Sequence, residues 1–355
     1  MVLDMDDDLK VGISVIIPTR NEEDYIEECI NSLLNCRSIQ ASGFNVEFII
    51  VDGMSTDKTV DIIKEKFGHL NLKILNNPNL YQSYAMNIGI ENSNNINETS
   101  LIIRADAHSK YPEDYIFQCW QASFNTWGGN AGSVQKAVGT NFFTRIVADV
   151  MNSGYAMGGV SYRNIKYDPF NPTTQYIDSD TAYLGSWKRS DLIEFGGFNE
   201  EFQINEDYEL NIRLRNNGRK VIVVANLIVE YFVRSSLFGL IKQFFRYGLW
   251  KTKTLSLHPD SLKLRQLAPV SFILFLFVLG IGNLIFAGDL LLYINASSIL
   301  IGTLWLIMIL LIWKNSSNLF SIFLIPFIVL SMHISWGLGF LYGLIRWARG
   351  GWNKS

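Results

Sequence analysis

LIIRADAH, residues 101–108, is an apolar run with β-strand preference that stops abruptly in Arg104, Asp106 and His108. In an open α/β sheet the carboxyl ends of the strands are where ligands bind. Asp106 and His108 are two residues apart, so on an extended backbone their side chains point the same way. The small Ala107 between them lets a large group approach the backbone. One carboxylate and one imidazole at this spacing can hold a divalent cation, which in turn can hold a diphosphate. The competing reading is a polar strand end running into a loop. Three other strand ends, each overloaded with polar residues, argue against it.

Moving outward, Val11–Ile17 is a β-branched run of buried-strand type, closed by Pro18, Thr19, Arg20, Asn21 and Glu22. Glu22–Leu34 has helical spacing, and Asn21 is placed to cap it. Phe44–Val51 is a second strand, ending in Asp52-Gly53-Met54-Ser55-Thr56-Asp57. Ser55 or Asp57 can cap the helix that follows from Thr59. Leu72–Leu75 is a third strand, and Gln82–Glu91 is helical before the strand at Leu101–Arg104. Strands alternating with helices over about 100 residues predict a doubly wound, largely parallel sheet. No GxGxxG or GxxxxGK[ST] follows the first strand, which argues against a dinucleotide site or a P-loop.

Pro112–Trp120 reads as a helix opened by proline. Residues 127–175 are glycine-rich and weakly periodic, suggesting one or two strands with flexible crossings. Ile177–Trp187 reads as strand and turn, Ser190 can cap Asp191–Phe195, and Val221–Val224 is a closing strand. Between them Gly196-Gly197-Phe198 precedes FQINEDYELNIRLRNN, residues 202–217. Glu206, Asp207 and Glu209 open a helix there, with Leu210 and Leu214 on its apolar face and Asn205 or Asp207 as cap. Acids in a first turn suit the helix dipole and need no further reason. Their place after a GGF turn, in a sheet protein with acids at its other strand ends, suggests a site.

Lys and Arg number 30 against 33 Asp and Glu among 355 residues, so no nucleic-acid surface is indicated. Cys29, Cys36 and Cys119 lack paired spacing and read as packing thiols in a reducing compartment. The acidic start MVLDMDDDLK has no apolar run, so no signal peptide is expected and the polar part should stay in the cytoplasm.

Taken in order, the motifs resemble the inverting family 2 glycosyltransferases with a GT-A fold, especially the membrane-anchored enzymes of exopolysaccharide (succinoglycan-type) synthesis. The matching stretches are Ser14–Glu22, Val51–Thr59, Asp106–His108 and Gly197–Asn199 followed by Asn205–Leu210. The resemblance implies an α/β, doubly wound mixed sheet that binds a nucleotide sugar, followed by C-terminal transmembrane helices. It implies donor binding by Pro18, Thr19, Arg20, Glu22, Asp52 and Asp106, with Mn²⁺ or Mg²⁺ at Asp106 and His108. It also implies Asp207 as catalytic base, with Glu206, Gln243 and Arg246 on the acceptor side. The second Asp of the family's DxD motif is His108 here, so His108 is either a metal ligand or a hydrogen-bond donor to a diphosphate oxygen or a neighbouring backbone carbonyl. The QxxRW of processive synthases is only approximated by Gln243–Tyr247. The expected reaction transfers a sugar from a nucleotide sugar, first of all a UDP-sugar, to a lipid-linked saccharide, with polysaccharide-assembly proteins as further partners. The alternatives are a non-catalytic nucleotide-sugar-binding membrane scaffold and a sugar nucleotidyltransferase.

The organisation expected is a GT-A domain over residues 1–233, amphipathic interfacial helices over 234–266, and about three transmembrane helices over 267–347. Leu267–Gly288, Leu290–Trp313 and Leu319–Trp347 are long apolar segments, the third interrupted by Pro326 and His333. Ser235–Lys253 is amphipathic. Arg246, Lys251 and Lys253 there suit either a phosphate of substrate or anionic headgroups. This makes a multi-pass cell-membrane protein with its catalytic domain in the cytoplasm. Three spans put Arg346, Arg349 and Lys354 on the far side, against the positive-inside bias. A third segment that is re-entrant or lies flat would remove the conflict.

Overall fold

In a computed structural model of the chain, the structure describes residues 10–37, 43–70, 72–97, 99–126, 128–157, 165, 167–171, 175–285, 289–316 and 318–352. The acidic start, part of the glycine-rich stretch and Lys354 lie outside the described residues. The chain divides into two compact units, residues 1–136 with 161–232 and residues 137–160 with 233–355.

The first unit opens β1 (Val11–Thr19), α1 (Ile26–Leu34), β2 (Phe44–Asp52), α2 (Thr59–Phe67), β3 (Leu72–Asn76), α3 (Gln82–Glu91), β4 (Leu101–Arg104). It continues β5 (Ser109–Lys110), α4 (Tyr115–Ser123) and β6 (Asn130–Val138), whose last two residues belong to the second unit. α5 (Phe142–Asn152) is in the second unit; β7 (Tyr176–Asp178), β8 (Tyr183–Lys188), α6 (Arg189–Glu194), α7 (Glu206–Asn216) and β9 (Val221–Phe232) return to the first.

The strands form one sheet in the order β3-β2-β1-β4-β8-β6-β9-β5, with β7 beside β9. β1 pairs in parallel with β2 and β4, and β2 with β3. β4–β8, β6–β8, β5–β9 and β7–β9 are antiparallel. The sheet is therefore mixed, and the largely parallel expectation holds only for its β3-β2-β1-β4 half. The strand order reverses between β1 and β4, which creates the crevice where ligands of such sheets bind. Pro18 fits β1 because it pairs with Val51 on the β2 side, while β4 has already stopped opposite Ile16.

Ile16, Ile49, Val51 and Ile102 project onto a core shared with Met86 and Ile90 of α3 and Leu210 and Leu214 of α7. Trp187 and Phe198 meet edge-to-face at 5.5 Å in the same core. Burying each of these large side chains contributes roughly 1.5–3 kcal/mol. α3 approaches β1 closely enough that a Cβ on Gly89 would fall 2.6 Å from Ile16 Cγ2.

α1 begins at Ile26, four residues later than its spacing suggests, and its cap position is Tyr25 with no side-chain bond. Asn21 is not a cap. It has φ 54° and its side-chain Oδ1 accepts from the Thr56 backbone N–H. α4 likewise starts three residues after Pro112. The glycine-rich stretch hides α5, which carries a full capping box between Asn141 and Thr144. β9 is a 12-residue strand where only four residues read as one.

The second unit contains α5, α8 (Leu237–Leu257), a 3₁₀ turn at Pro259–Ser261, α9 (Leu264–Ile285), α10 (Asp289–Lys314) and α11 (Ser321–Ala348). Ser236 caps α8 by accepting from the Gly239 N–H at 3.1 Å. α9, α10 and α11 are long and apolar enough to cross a membrane. α11 is an unbroken 28-residue helix despite Pro326, so no re-entrant interruption divides it.

Candidate active site

The crevice between β1 and β4 is walled by loops laced to each other. The Asn21, Glu22 and Glu23 backbone N–H groups donate to Ser55 Oγ, Thr59 Oγ1 and Asp57 Oδ2 at 2.9, 2.8 and 3.2 Å. Asp57 Oδ1 also accepts from the N–H of Thr59, the first residue of α2, at 3.0 Å, while the cap position itself is Lys58 with no side-chain bond. Thr19 is buried, its hydroxyl donating to the Ile17 carbonyl and its own carbonyl accepting from the Gly53 N–H. Arg20 is exposed, with its stem against Gly53. Asp52, buried at the end of β2, accepts from the Ser55 hydroxyl at 2.6 Å and from its backbone N–H at 3.1 Å. Asn21, Met54, Leu80 and Asn205, each in a loop around this crevice, have positive φ. For Met54 and Leu80 that conformation costs about 1–2 kcal/mol each, a strain found mainly at functional loops.

Beyond Arg104 the backbone leaves the strand, so Asp106 and His108 do not stand side by side on one extended segment. Asp106 faces Arg104 and the start of α3, and His108 faces Glu22 in the loop after β1. Asp106 Oδ1 accepts from Arg104 Nε at 3.1 Å and from the Gln82 amide at 2.9 Å. His108 Nδ1 lies 3.0 Å from Glu22 Oε1, a contact that bridges the crevice. Two buried tyrosines pin the backbone beneath. Tyr115 donates to the Arg104 carbonyl and Tyr111 to that of Asp106, each at 3.0 Å.

Arg104 is the residue that joins the motifs. Its guanidinium donates to Glu206 Oε1 at 3.1 Å and lies 4.0 Å from Asp207 Oδ2, while Nε holds Asp106. Burial works against its charge, but Asp106, Glu206 and Asp207 together hold its proton more firmly than usual. Burial also opposes ionisation of Asp106, yet Arg104, helped by His108 and Gln82, keeps that carboxyl below its ordinary range. Glu206 is 3 % exposed, and burial pushes its carboxyl up to about 7, with Arg104 opposing and Asp207 adding to the rise. Asp207 has the more open carboxylate, 28 % exposed, with Oδ1 accepting from the Tyr208 N–H at 2.7 Å.

Residues far apart in sequence thus meet: Asp106, Glu206 and Asp207 around Arg104, and Glu22 with His108. Gln243 and Arg246 lie on α8 in the second unit, where the Gln243 amide donates to the Tyr247 hydroxyl at 2.9 Å. Lys251 and Lys253 are turned inward, donating to Ser261 and to the Trp352 carbonyl, and form no surface patch. Arg104, Gln82 and Ser55 are absent from the sequence-derived site. Arg104 had a visible signal, because an arginine inside a buried strand requires anionic partners.

A divalent cation fits these residues in a limited way. Among the described residues no three His, Cys, Asp or Glu side chains gather into a cage. Asp106 Oδ2 and His108 Nε2 nevertheless make no hydrogen bond within the described protein, while Oδ1 and Nδ1 are held. An imidazole whose other nitrogen faces a carboxylate has the usual outer-shell arrangement of a metal-ligating histidine. Two protein ligands completed by substrate phosphates and water suit such a cation.

Comparison with known proteins shows the family and the fold. A profile described as Glycosyl transferase family 2 matches residues 14–184. Dolichyl N-acetyl-alpha-D-glucosaminyl phosphate 3-beta-D-2,3-diacetamido-2,3-dideoxy-beta-D-glucuronosyltransferase of Methanococcus voltae is 31 % identical over 343 residues, 94 % of this chain and 97 % of that protein. Succinoglycan biosynthesis protein ExoA of Rhizobium meliloti is 27 % identical over 72 % of this chain and 74 % of its own. The mannosyltransferase PcManGT of Pyrobaculum calidifontis, solved with GDP-Man and Mn²⁺, superposes with a TM-score of 0.62 at 15 % identity, covering 94 % of this chain and 87 % of that one. That likeness is one of fold, a GT-A sheet. The chain belongs to glycosyl transferase family 2 and is an inverting glycosyltransferase of GT-A fold.

Proposed function

We propose that the enzyme transfers a sugar from a UDP-sugar to a hydroxyl of a lipid-linked saccharide at a membrane, with its catalytic unit in the cytoplasm. The observation that supports this reading is the convergence on Arg104 of Asp106, assigned here to the donor, with Glu206 and Asp207, assigned here to the acceptor side. The Methanococcus voltae relative is described as acting on a dolichyl-linked sugar phosphate with formation of a β-linkage, and the apolar helices here suit an acceptor held in lipid.

In this reading Asp52 receives the nucleotide base. Its bonds from Ser55 leave lone pairs for one further donor. Pro18, Thr19 and Arg20 shape the same edge, and Glu22 orients His108. Asp106 and His108 would hold Mn²⁺ or Mg²⁺, which supplies positive charge against the leaving diphosphate. Asp207 takes the proton of the acceptor hydroxyl as that oxygen attacks the anomeric carbon, and the nucleoside diphosphate leaves from the opposite face. Glu206, buried against Arg104, is too enclosed to serve as the base and holds its neighbour in place. Gln243 and Arg246 are assigned to the acceptor.

The test is Asp207→Asn, assayed by nucleoside diphosphate release with a lipid-linked acceptor. Donor affinity should stay within a few-fold while transfer falls about 10²–10⁴-fold. Undiminished transfer would return Asp207 to the role of a helix-start acid. A small loss would instead point to an acceptor that is already ionised, such as a lipid phosphate.

A further inference from the structure

α9 and α10 have both the length and the bareness of membrane spans: 6 % and 11 % of their apolar windows are buried, against 39 % for α11. α11 has the length but different surroundings. Its second half lies along α8. A Cβ on Gly248 would come 2.0 Å from the Trp336 carbonyl oxygen, and one on Gly339 would come 2.0 Å from that of Phe245. Further on, the Trp250 and Trp352 rings are 5.4 Å apart and the Lys253 ammonium donates to the Trp352 carbonyl at 3.1 Å. α8 carries Lys242, Arg246, Lys251 and Lys253. A helix with four cations is poorly suited to hydrocarbon, so a helix packed along it shares its level.

The other end of α11 is tied to α5. Ser316, in the link before α11, donates to Asp149 Oδ2 at 2.6 Å, and nearer the middle of α11 His333 Nε2 lies 3.1 Å from the carbonyl of Ala156, just past α5. Chain reach then fixes the side of the membrane. β6 ends at Val138 and α5 begins at Phe142; β9 ends at Phe232 and α8 begins at Leu237. Links this short reach roughly 10–18 Å, well under a hydrocarbon core of about 30 Å. α5 and α8 therefore lie on the same side of the bilayer as the sheet strands that feed them, and both ends of α11 are fastened there.

We infer that only α9 and α10 cross the bilayer, as a hairpin, and that α11 lies along the membrane surface on the side of α5 and α8. Its exposed stripe, Phe323, Phe327, Leu338, Tyr342 and Ile345, follows one helical face and rests in the headgroup–acyl boundary of that leaflet. The charges agree. Lys263, Arg265, Lys314, Arg346 and Arg349 all fall on one side, and Asp289, the only formal charge between Arg265 and Lys314, falls on the other. A three-span path instead sends Arg346 and Arg349 across.

Single cysteines at Asp24, Asp289 and Arg349, in the full-length chain with its native cysteines replaced by serine, test the arrangement with a charged, impermeant maleimide before and after permeabilisation of cells. Arg349→Cys should label together with Asp24→Cys, and Asp289→Cys should label oppositely. Arg349→Cys labelling with Asp289→Cys, or all three labelling alike, overturns the inference. Nitroxides at Phe323 and Tyr342, in the purified chain in vesicles, supply a second measure. A crossing helix separates them in depth by about 28 Å, whereas a helix lying flat leaves them within a few ångströms. A graded depth would also overturn the inference.

Discussion

Arg104→Met removes one guanidinium and keeps an unbranched apolar side chain about as long as the arginine stem. In the folded protein this guanidinium is 3.1 Å from both Asp106 Oδ1 and Glu206 Oε1 and 4.0 Å from Asp207 Oδ2. Removing one partner of a buried ion pair leaves the other uncompensated and costs about 3–5 kcal/mol. Glu206 can relieve part of this cost, because its carboxyl is already raised to about 7 and loses the cation that opposed the rise. The sign follows from linkage. An acid raised above its unfolded value of about 4.3 stabilises the fold fully below that value, and the contribution is lost as pH climbs through the folded value. In Arg104→Met the folded value rises further, so the deficit against wild type should be smallest near pH 6 and grow towards pH 8. About 3 kcal/mol is expected at pH 8, and Arg104→Met/Glu206→Gln should recover about half of it. Denaturant unfolding of the full-length chain in detergent, at both pH values, measures these differences. A pH-independent deficit, or losses in the double variant that add to within about 0.5 kcal/mol, would refute the reasoning.

Glu206→Gln alone should flatten the stability profile between about pH 4.5 and 7, where wild type loses on the order of 3 kcal/mol as this carboxyl becomes harder to keep protonated; a melt series across that range reads the change. Wild type should use Mn²⁺ at lower concentration than Mg²⁺, and His108→Asp should narrow the difference, because imidazole suits borderline cations better than Mg²⁺. The same metal preference in both proteins would mean that His108 is not a ligand. Gly89→Ala should destabilise by about 1–3 kcal/mol through overpacking against Ile16, partly offset by helix propensity. An unchanged unfolding midpoint would show that α3 can move away from β1 freely.

Much of the site was written locally. Leu101–Arg104 is a strand and Gln82–Glu91 a helix in the structure with the same bounds that their residues suggest. Asp52, Asp106 and Asp207 stand at element ends because apolar runs there give way to polar residues, which needs only neighbours in sequence. The capping box of α5 was legible in the same way, in Asn141 and Thr144, but the glycines around it masked the signal. Asn21 went the other way. Its type suits a cap, yet it serves the Thr56 N–H of another loop, a partner 35 residues distant.

The sequence by itself determined that strands alternate with helices, that acids gather at strand ends, and that the last quarter is too apolar to fold as an exposed surface. These are properties of periodicity and composition, fixed over windows of a few residues. Tertiary structure alone decided that β8, β5 and β7 run antiparallel to the strands they meet, since pairing energy depends on which strand arrives alongside. It decided that Arg104 serves Glu206 from 102 residues away, because a buried charge takes whichever opposite charges folding brings within reach. It also separated α11 from α9 and α10. All three read alike by hydropathy, and they differ in what packs against them: two are left largely bare, and the third lies along the cation-bearing α8.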